Sequence, residues 1–241
     1  MIISPEHDPM GQAIRDFQDK KKTAKLLNST QYTTEDEFPI AYLFRSWNEM
    51  PEIEQKALKL ASGKILDVGA AAGAHSLHLQ NKGKNVVSID NSQLSVDVMK
   101  ERGLKQVYLA DFYDFKGTFD TILLLMNGIG ICGTIEGIPT FLKKCKTLLA
   151  PNGQILFDST DLMYLFENED GSYDINLNGS YYGEIIYKMR YRKIRCTPFK
   201  WLYVDFETFS SIAKEHGFSC ELLMKNDNYN YLAKMYLANN P

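Results

Sequence analysis

The stretch ILDVGAAAGAHSLHL, residues 65–79, sets an aspartate two positions before a glycine-containing turn. A loop that brings its backbone against a pyrophosphate carries glycines as G-x-G-x-x-G. Counted from Gly69, that pattern needs glycine at 71 and 74, where this chain has Ala71 and Ala74, with its next glycine at Gly73. Ala71 gives up the approach to phosphate, and Asp67 repels phosphate oxygens and attracts a cation. Asp90 follows Gly69 by about twenty positions, the distance at which a carboxylate ending the next strand accepts hydrogen bonds from both hydroxyls of a ribose. Further acceptors recur downstream at Asp111, at the pair Met126-Asn127 and at Asp158. The ligand that matches these residues is a nucleoside with free ribose hydroxyls, no phosphate and a positively charged tail.

Side chains so far apart in the chain meet only if regular elements end where they stand. From residue 64 onward short apolar runs alternate with helix-period stretches, the pattern of a parallel sheet with helices on its faces. Strands are predicted at KILDV 64–68, NVVSI 85–89, QVYLA 106–110, FDTILLL 119–125 and QILFDS 154–159. Helices are predicted near 73–82, 93–102 and 135–149. Gly83 and Gly103 act as C-terminal stops, and Pro151-Asn152-Gly153 turns into the fifth strand. FETFSSIAKEHG reads as a later helix, with FSCELLMKN and NYLAKMYLA as two strands joined by the polar turn DNYN. Ligands of open parallel sheets bind outside the carboxyl ends of the strands. Asp67, Asp90, Asp111, Met126-Asn127 and Asp158 all fall at or near that edge.

Two segments stand outside the alternation. Residues 1–60 are expected to form a helical cap or lid, whose last helix, PEIEQKALKLAS, opens at Pro51 and sets Ile53, Ala57 and Leu60 on one face. Residues 162–204 interrupt the remaining part, 61–241. Within them Ile185, Tyr187, Met189 and Tyr191 alternate with Ile186, Lys188, Arg190 and Arg192, which makes a strand with one apolar and one largely basic face. With FKWLYVDF as partner it reads as an antiparallel hairpin over one sheet edge, the whole chain being a single structural domain.

The 241 residues are 44% hydrophobic and 24% charged, ordinary for a globular chain with a sizeable core. A formal net charge of -3 gives no global attraction to nucleic acid or to an anionic membrane. KKKTAK, at 20–25, lacks interleaved aromatic residues and reads as a solvated face, and the basic run at 188–195 reads as an edge strand's guard against sheet-to-sheet association, steering of an anionic substrate being the alternative. Neither nucleic acid nor membrane is therefore expected as a partner, which leaves a small molecule; nothing in the pattern sets an oligomeric state. Cys132, Cys145, Cys196 and Cys220 lie far apart, with no C-x-x-C pair and no histidines at metal-ligand spacing. They read as reduced, and no metal is expected. His75 and His78 lack a third ligand and read as packing or helix-surface residues. No basic leader with a long apolar run opens the chain and no segment reaches the roughly 18 apolar residues of a membrane span, so cytoplasmic residence is expected.

Taken in order, ILDVGAAAGAHSLHL, VVSIDNS, ADFYDF, FDTILLLMNGIG and FLKKCKTLLAPNGQILFDS resemble the successive motifs of the class I S-adenosylmethionine-dependent methyltransferases of small-molecule type. The likeness covers about residues 60–160, and the tail 205–241 as the expected helix and final hairpin. It implies a three-layer Rossmann-like α/β fold, with a mostly parallel seven-stranded sheet and an antiparallel last strand, here bearing the N-terminal helical cap and the inserted hairpin. It implies S-adenosyl-L-methionine as cofactor and S-adenosyl-L-homocysteine as product. Carried over by position, Gly69, Ala71 and Gly73 let the backbone pass close to the methionine portion, Asp67 faces its ammonium, and Asp90, with Asn91 beside it, holds the ribose. Asp111 would accept from the adenine amino group while the amide of Phe112 donates to the ring. Met126 and Asn127 would contact the ammonium and border the methyl. In YLFRSW, at 42–47, Arg45 is a candidate for the methionine carboxylate with Tyr42 beside it, a surface pair with Glu49 or Glu52 being the alternative.

The implied reaction is methyl transfer to a small-molecule acceptor. A sulfonium is already activated, so the chemistry dictates no obligatory catalytic residue; alignment, exclusion of water and removal of a proton remain for the protein. Asn127, Asp158, Asp161, Tyr181 and Tyr182 stand at or near the right edge as candidates for acceptor positioning or proton removal. The aromatic residues crowded between Tyr164 and Tyr203 divide between core and the wall of an acceptor pocket. MNGI stands where enzymes that methylate a flipped base carry [DN]-P-P-[FY], and Asn127 cannot act as the aspartate base of an aminopropyltransferase. Two rival readings use the same residues: a non-catalytic module that keeps cofactor binding, and a nicotinamide-dependent oxidoreductase, which Ala71 and Asp67 oppose.

Overall fold

The structure is a computed structural model that describes residues 1–175 and 179–238; residues 176–178, within the predicted insertion, lie outside the described residues. In chain order, α1 (Pro9–Gln18), β1 (Leu26–Ser29), β2 (Asp36–Phe38) and α2 (Glu52–Leu60) come first. The alternating part follows as β3 (Lys64–Val68), α3 (Ala74–Asn81), β4 (Asn85–Asp90), α4 (Gln93–Glu101), β5 (Val107–Leu109), β6 (Phe119–Leu124), α5 (Ile138–Leu148) and β7 (Leu149–Thr160). The insertion supplies β8 (Glu184–Tyr191), β9 (Ile194–Arg195) and β10 (Phe199–Leu202), and last come α6 (Phe206–Glu215), β11 (Phe218–Lys225) and β12 (Asn230–Leu237).

The main sheet has seven strands in the order β11-β12-β7-β6-β3-β4-β5. Neighbours from β7 to β5 are parallel, and β12 runs antiparallel to both β7 and β11. Strands covered by helices on both faces must be apolar on both. Leu66, Val68, Val87, Ile89 and Phe157 accordingly pack with Phe141, Leu142 and Phe209 of α5 and α6, whereas Ile65, Val86, Leu123 and Leu156 pack with Ile53 and Ala57 of α2 and Leu79 of α3. Each large side chain fully buried in this way contributes about 1.5–3 kcal/mol. Helix starts are set locally: the Ser92 hydroxyl accepts from the Ser95 amide (3.1 Å) at α4, and Asp205 from the Thr208 amide (2.9 Å) at α6. This is the fold that the sequence pattern predicts.

Local departures have physical causes. Leu60, expected on the buried face of α2, is 41% exposed, and Leu58 is buried instead, because the helix ends at Leu60 and the chain turns toward β3. Pro151-Asn152-Gly153 is drawn into β7 rather than preceding it; Asn152 adopts left-handed backbone (φ 61°), and the register against β6 slips there.

The helical preface is corrected between its two helices. β1 and β2 pair antiparallel, and β1 also pairs with β8 of the insertion, from Leu26↔Tyr191 to Ser29↔Lys188. The predicted hairpin of β8 and β10 thereby becomes part of a second antiparallel sheet, ordered β10-β8-β1-β2, with β9 on β8. A hairpin alone leaves the outer edge of β8 with unpaired backbone groups, and the preface satisfies them. β8 is therefore an inner strand, so its basic residues guard no edge. Arg190 pairs with Glu35 (2.6 Å) and Arg192 with Asp16 (2.8 Å), both in the preface. Tyr191 is fully buried at the junction, its hydroxyl donating to Asp16 (3.1 Å) and accepting from the Ala24 amide (3.2 Å).

Candidate functional site

The turns after β3, β4, β6 and β7 stand side by side at the carboxyl edge of the sheet. After β3, the amides of Gly69 and Ala70 donate to the Ile89 carbonyl at 2.9 and 3.1 Å, which ties the loop to β4. Gly69 and Gly73 both have positive φ, 69° and 80°, yet they serve different ends. A Cβ on Gly73 would meet Leu104 Cδ1 at 2.6 Å and Met99 Cγ at 3.1 Å, so glycine is needed there for close packing. A Cβ on Gly69 would meet nothing within 4 Å. Gly69 faces open space, and its backbone is what a ligand would touch. Ala71, Met126 and Asn127 also have positive φ, 50°, 60° and 57°, a conformation that costs a non-glycine residue about 1 kcal/mol or more. These three lie in the two loops that the sequence singles out; Lys20, Asn152, Arg192 and Tyr229 share the conformation elsewhere.

Asp90 is buried at the end of β4, where its Oδ2 accepts from the Ala71 amide (2.8 Å) and its Oδ1 from the Ser92 amide (2.9 Å). Burial pushes its pKa up to about 6, against the pull of those two amides. Asp67 is 2% exposed and accepts from the Ser76 hydroxyl at 2.6 Å; Ser88 in turn donates to Ser76 at 2.7 Å. Burial raises Asp67 above the ordinary carboxylate range, with His75 and Ser76 pulling the other way.

Asn127, after β6, is committed to structure. Its side chain donates to the Leu202 carbonyl (3.2 Å) and accepts from Ser159 (2.7 Å), and its own carbonyl accepts from Trp201 Nε1 (3.1 Å). It therefore has no free side-chain atom for proton removal, which corrects that candidacy; its backbone borders the edge. Tyr181 donates to Asp205 (2.6 Å) and accepts from the Asp205 amide (3.0 Å), while Tyr182 donates to Asp161 (2.8 Å), itself the cap on the Met163 amide (2.9 Å). These three hold the insertion to α6 and to the end of β7, and burial raises both phenols well above their ordinary range. Neither phenol is a base near neutrality. Asp158 differs from all of these: Oδ2 accepts from the Asn127 amide (3.1 Å), and Oδ1 is buried without a partner. Burial pushes its pKa up to about 7.

The preface brings in residues that sequence reasoning missed. Arg45 is buried and pairs with Glu54, not with Glu49 or Glu52, and its guanidinium also donates to the Tyr42 carbonyl while lying 3.9 Å over the Tyr42 ring. Glu54 Oε2 also lies 2.7 Å from His75 Nε2, so His75 is a hydrogen-bonding residue rather than plain packing. Burial would raise Glu54, but His75 and Arg45 outweigh it and hold its pKa down. Arg45 Nε is left buried without a partner. His78, by contrast, stacks on Trp47 at 4.1 Å, as a packing residue does. The partners of Arg45 are separated along the chain by other elements, and no local pattern announces them.

The N-terminal residues cross the β4 and β5 ends. Ile3 donates to the Asn91 carbonyl (2.9 Å), Asn91 Nδ2 lies 3.4 Å from the Met1 carbonyl, and the Met1 amino group pairs with Asp111, whose other oxygen accepts from the Tyr113 amide (2.7 Å). Phe112 is buried against Phe141, and Met126 packs with Leu43 and Ala72. Two surface depressions, one beside Pro139 and Lys143 and one beside Phe17 and Phe44, contain none of these carboxylates.

Residues 65–153 match the model of a methyltransferase domain. Over 99% of this chain and 98% of the other, the fold is similar to the crystal structure of an S-adenosylmethionine-dependent methyltransferase from Bacteroides fragilis in complex with S-adenosyl-L-homocysteine, with a TM-score of 0.93 and 48% identity. Among curated proteins, the cypemycin N-terminal methyltransferase of Streptomyces sp is 30% identical over 40% of this chain and 42% of its own length. The ubiquinone biosynthesis O-methyltransferase of Actinobacillus pleuropneumoniae is 32% identical over 45% and 50%. The chain spans half or less of the length of these curated relatives.

Proposed function

We propose, because this chain belongs to the S-adenosylmethionine-dependent methyltransferases, that it transfers a methyl group from S-adenosyl-L-methionine to a small molecule held at the ends of β6 and β7. The observation that carries the cofactor assignment is Asp90, pinned by the Ala71 and Ser92 amides beside the open space at Gly69. A carboxylate so placed accepts from ribose hydroxyls, and the Gly69 backbone is free to meet the methionine portion. The reading assigns Asp67 to its ammonium, Arg45 to its carboxylate with the unpartnered Nε as donor, and Asp111 and Phe112 to its adenine, for which the Met1 amino group must give up Asp111. Asn91, Tyr42, Ala71, Gly73, Met126 and the Asn127 backbone complete the surround.

When bound, S-adenosyl-L-methionine supplies a methyl on a positively charged sulfur, ready for in-line attack by an acceptor's lone pair. What remains for this chain is to align the acceptor and to exclude water. The Asn127 loop serves the first: its strained backbone is clamped by Asp158, Ser159, Leu202 and Trp201. The second sheet serves the other, since Trp201 of β10 lies on Gly130, where a Cβ would meet its ring at 2.1 Å. An acceptor that reaches the buried Oδ1 of Asp158 beneath such a cover must be small. One curated relative is named for N-terminal and the other for O-methylation, so likeness alone does not choose the nucleophile.

Calorimetry with S-adenosyl-L-homocysteine tests the reading, followed by transfer of labelled methyl to a panel of small acceptors. Binding at micromolar concentration with transfer is the expected result. No binding at high micromolar concentration refutes it, and binding with no transfer across the panel favours a non-catalytic module.

A further inference from the structure

Among the described residues, Asp158 carries the one buried carboxylate oxygen that lacks a hydrogen-bond partner. Its other oxygen is held by the Asn127 amide at 3.1 Å, so the side chain cannot turn away to find one. A buried acceptor without a donor is costly to a fold, which marks Oδ1 as the place for a donor brought by a ligand. We propose that the methyl acceptor is an amine, which the Asp158 carboxylate holds by an N–H donor and relieves of its proton. The inference rests on the methyltransferase reading above and adds to it the chemical class of the acceptor.

The surroundings of Asp158 choose among donors. Glu54 is close enough for its charge to act unfavourably on Asp158, while His75, whose Nε2 lies 2.7 Å from Glu54 Oε2, acts the other way. An anionic acceptor would meet repulsion there. A neutral hydroxyl would satisfy the hydrogen bond and bring no charge, whereas a protonated amine satisfies the bond and sets a positive charge against both carboxylates. Tyr42 and Tyr203 lie within reach of the same charge, and the Tyr203 hydroxyl is paired with that of Tyr187 at 2.7 Å.

The proton inventory closes. The amine arrives as an ammonium, one N–H bond breaks with its electron pair left on nitrogen, and the proton goes to Asp158 Oδ1. The freed pair forms the new carbon–nitrogen bond as the methyl's bond to sulfur breaks, with that pair returning to sulfur. The proton then leaves Oδ1 for solvent. Burial pushes the Asp158 carboxyl to about 7, where it takes up and releases protons at neutral pH.

Benzylamine, benzyl alcohol and benzoate share a ring and differ in the group they offer, so they serve as probes. Each is titrated into the wild-type protein saturated with S-adenosyl-L-homocysteine, and into Asp158→Asn treated alike, with thermal melts to confirm that the variant folds. The expected result is that wild type prefers benzylamine over benzyl alcohol by about tenfold or more, the effect of one charged hydrogen bond, and rejects benzoate. Asp158→Asn should lose the amine preference, its S-adenosyl-L-homocysteine affinity being measured first so that each protein is saturated. Equal binding of the alcohol or of benzoate to wild type, an unchanged preference in the variant, or no benzylamine binding at millimolar concentration overturns the inference while leaving the methyltransferase reading intact. Absence of S-adenosyl-L-homocysteine binding to wild type overturns both. Should Asp158→Asn fail to fold, the wild-type preference decides alone.

Discussion

Asp90 makes two of its hydrogen bonds within the protein, from the Ala71 and Ser92 amides, while burial raises its pKa to about 6. Hydroxyl donors favour its ionised form, so a proton and a ribose compete for the same carboxylate. Affinity for S-adenosyl-L-homocysteine should therefore weaken as pH falls through about 6 and level off above it. Asp90→Asn should cost about 1–3 kcal/mol of that affinity at pH 8 and flatten the slope; calorimetry at several pH values measures both, and an unchanged slope in the variant removes Asp90 from the ribose. The position of this carboxylate is legible in the sequence, because it lies one strand beyond a glycine turn. Arg45 is a contrasting case. Its residue type suggests an anion partner, but the choice of Glu54 over Glu49 or Glu52 depends on how the preface folds back, which no local pattern records.

At the scale of elements, β1, β2 and β8 show how an insertion and a preface complete each other. β8 is legible from its period-two alternation, and its burial follows that alternation, with Ile185 and Tyr191 buried and Ile186 exposed. β1 and β2 are too short and too polar to announce themselves: LLNS and DEF carry no period, and their strand geometry comes from pairing, β1 with β8 and β2 with β1. Tyr191 ties β8 to α1 through Asp16 and to the entry of β1 through the Ala24 amide. Tyr191→Phe removes only the hydroxyl, leaves the Ala24 amide without its acceptor, and should cost about 1–3 kcal/mol. Urea unfolding checks this, and a midpoint equal to wild type would show that the junction does not depend on that hydroxyl.

Over the whole molecule, the carboxylates of the site pull stability in opposite directions with pH. Asp90 and Asp158 have pKa values raised by burial to about 6 and about 7, so their protonated forms suit the fold. Their contribution is fully present below the ordinary carboxylate pKa of about 4 and is lost as pH rises through about 6 and about 7. Glu54, held low by His75 and Arg45, contributes above its ordinary pKa and loses that contribution as pH falls. In the absence of cofactor, Asp158→Asn should therefore melt higher than wild type at pH 8, by up to a few kcal/mol in stability, and match it near pH 4. Melting curves at the two pH values decide it, since a gap of equal size at both would mean that ionisation of Asp158 is not its cause. The sequence by itself determined the parallel sheet, the cofactor turn and the row of acceptors from Asp67 to Asp158, because periodicity, strand ends and glycine turns are local properties of the chain. Only the tertiary structure decided which of those polar atoms are already engaged and which is not. Asn127, Tyr181 and Tyr182 found partners within the fold, and Asp158 Oδ1 and Arg45 Nε did not, because a hydrogen bond is made with whatever lies within about 3 Å in space, however distant in sequence.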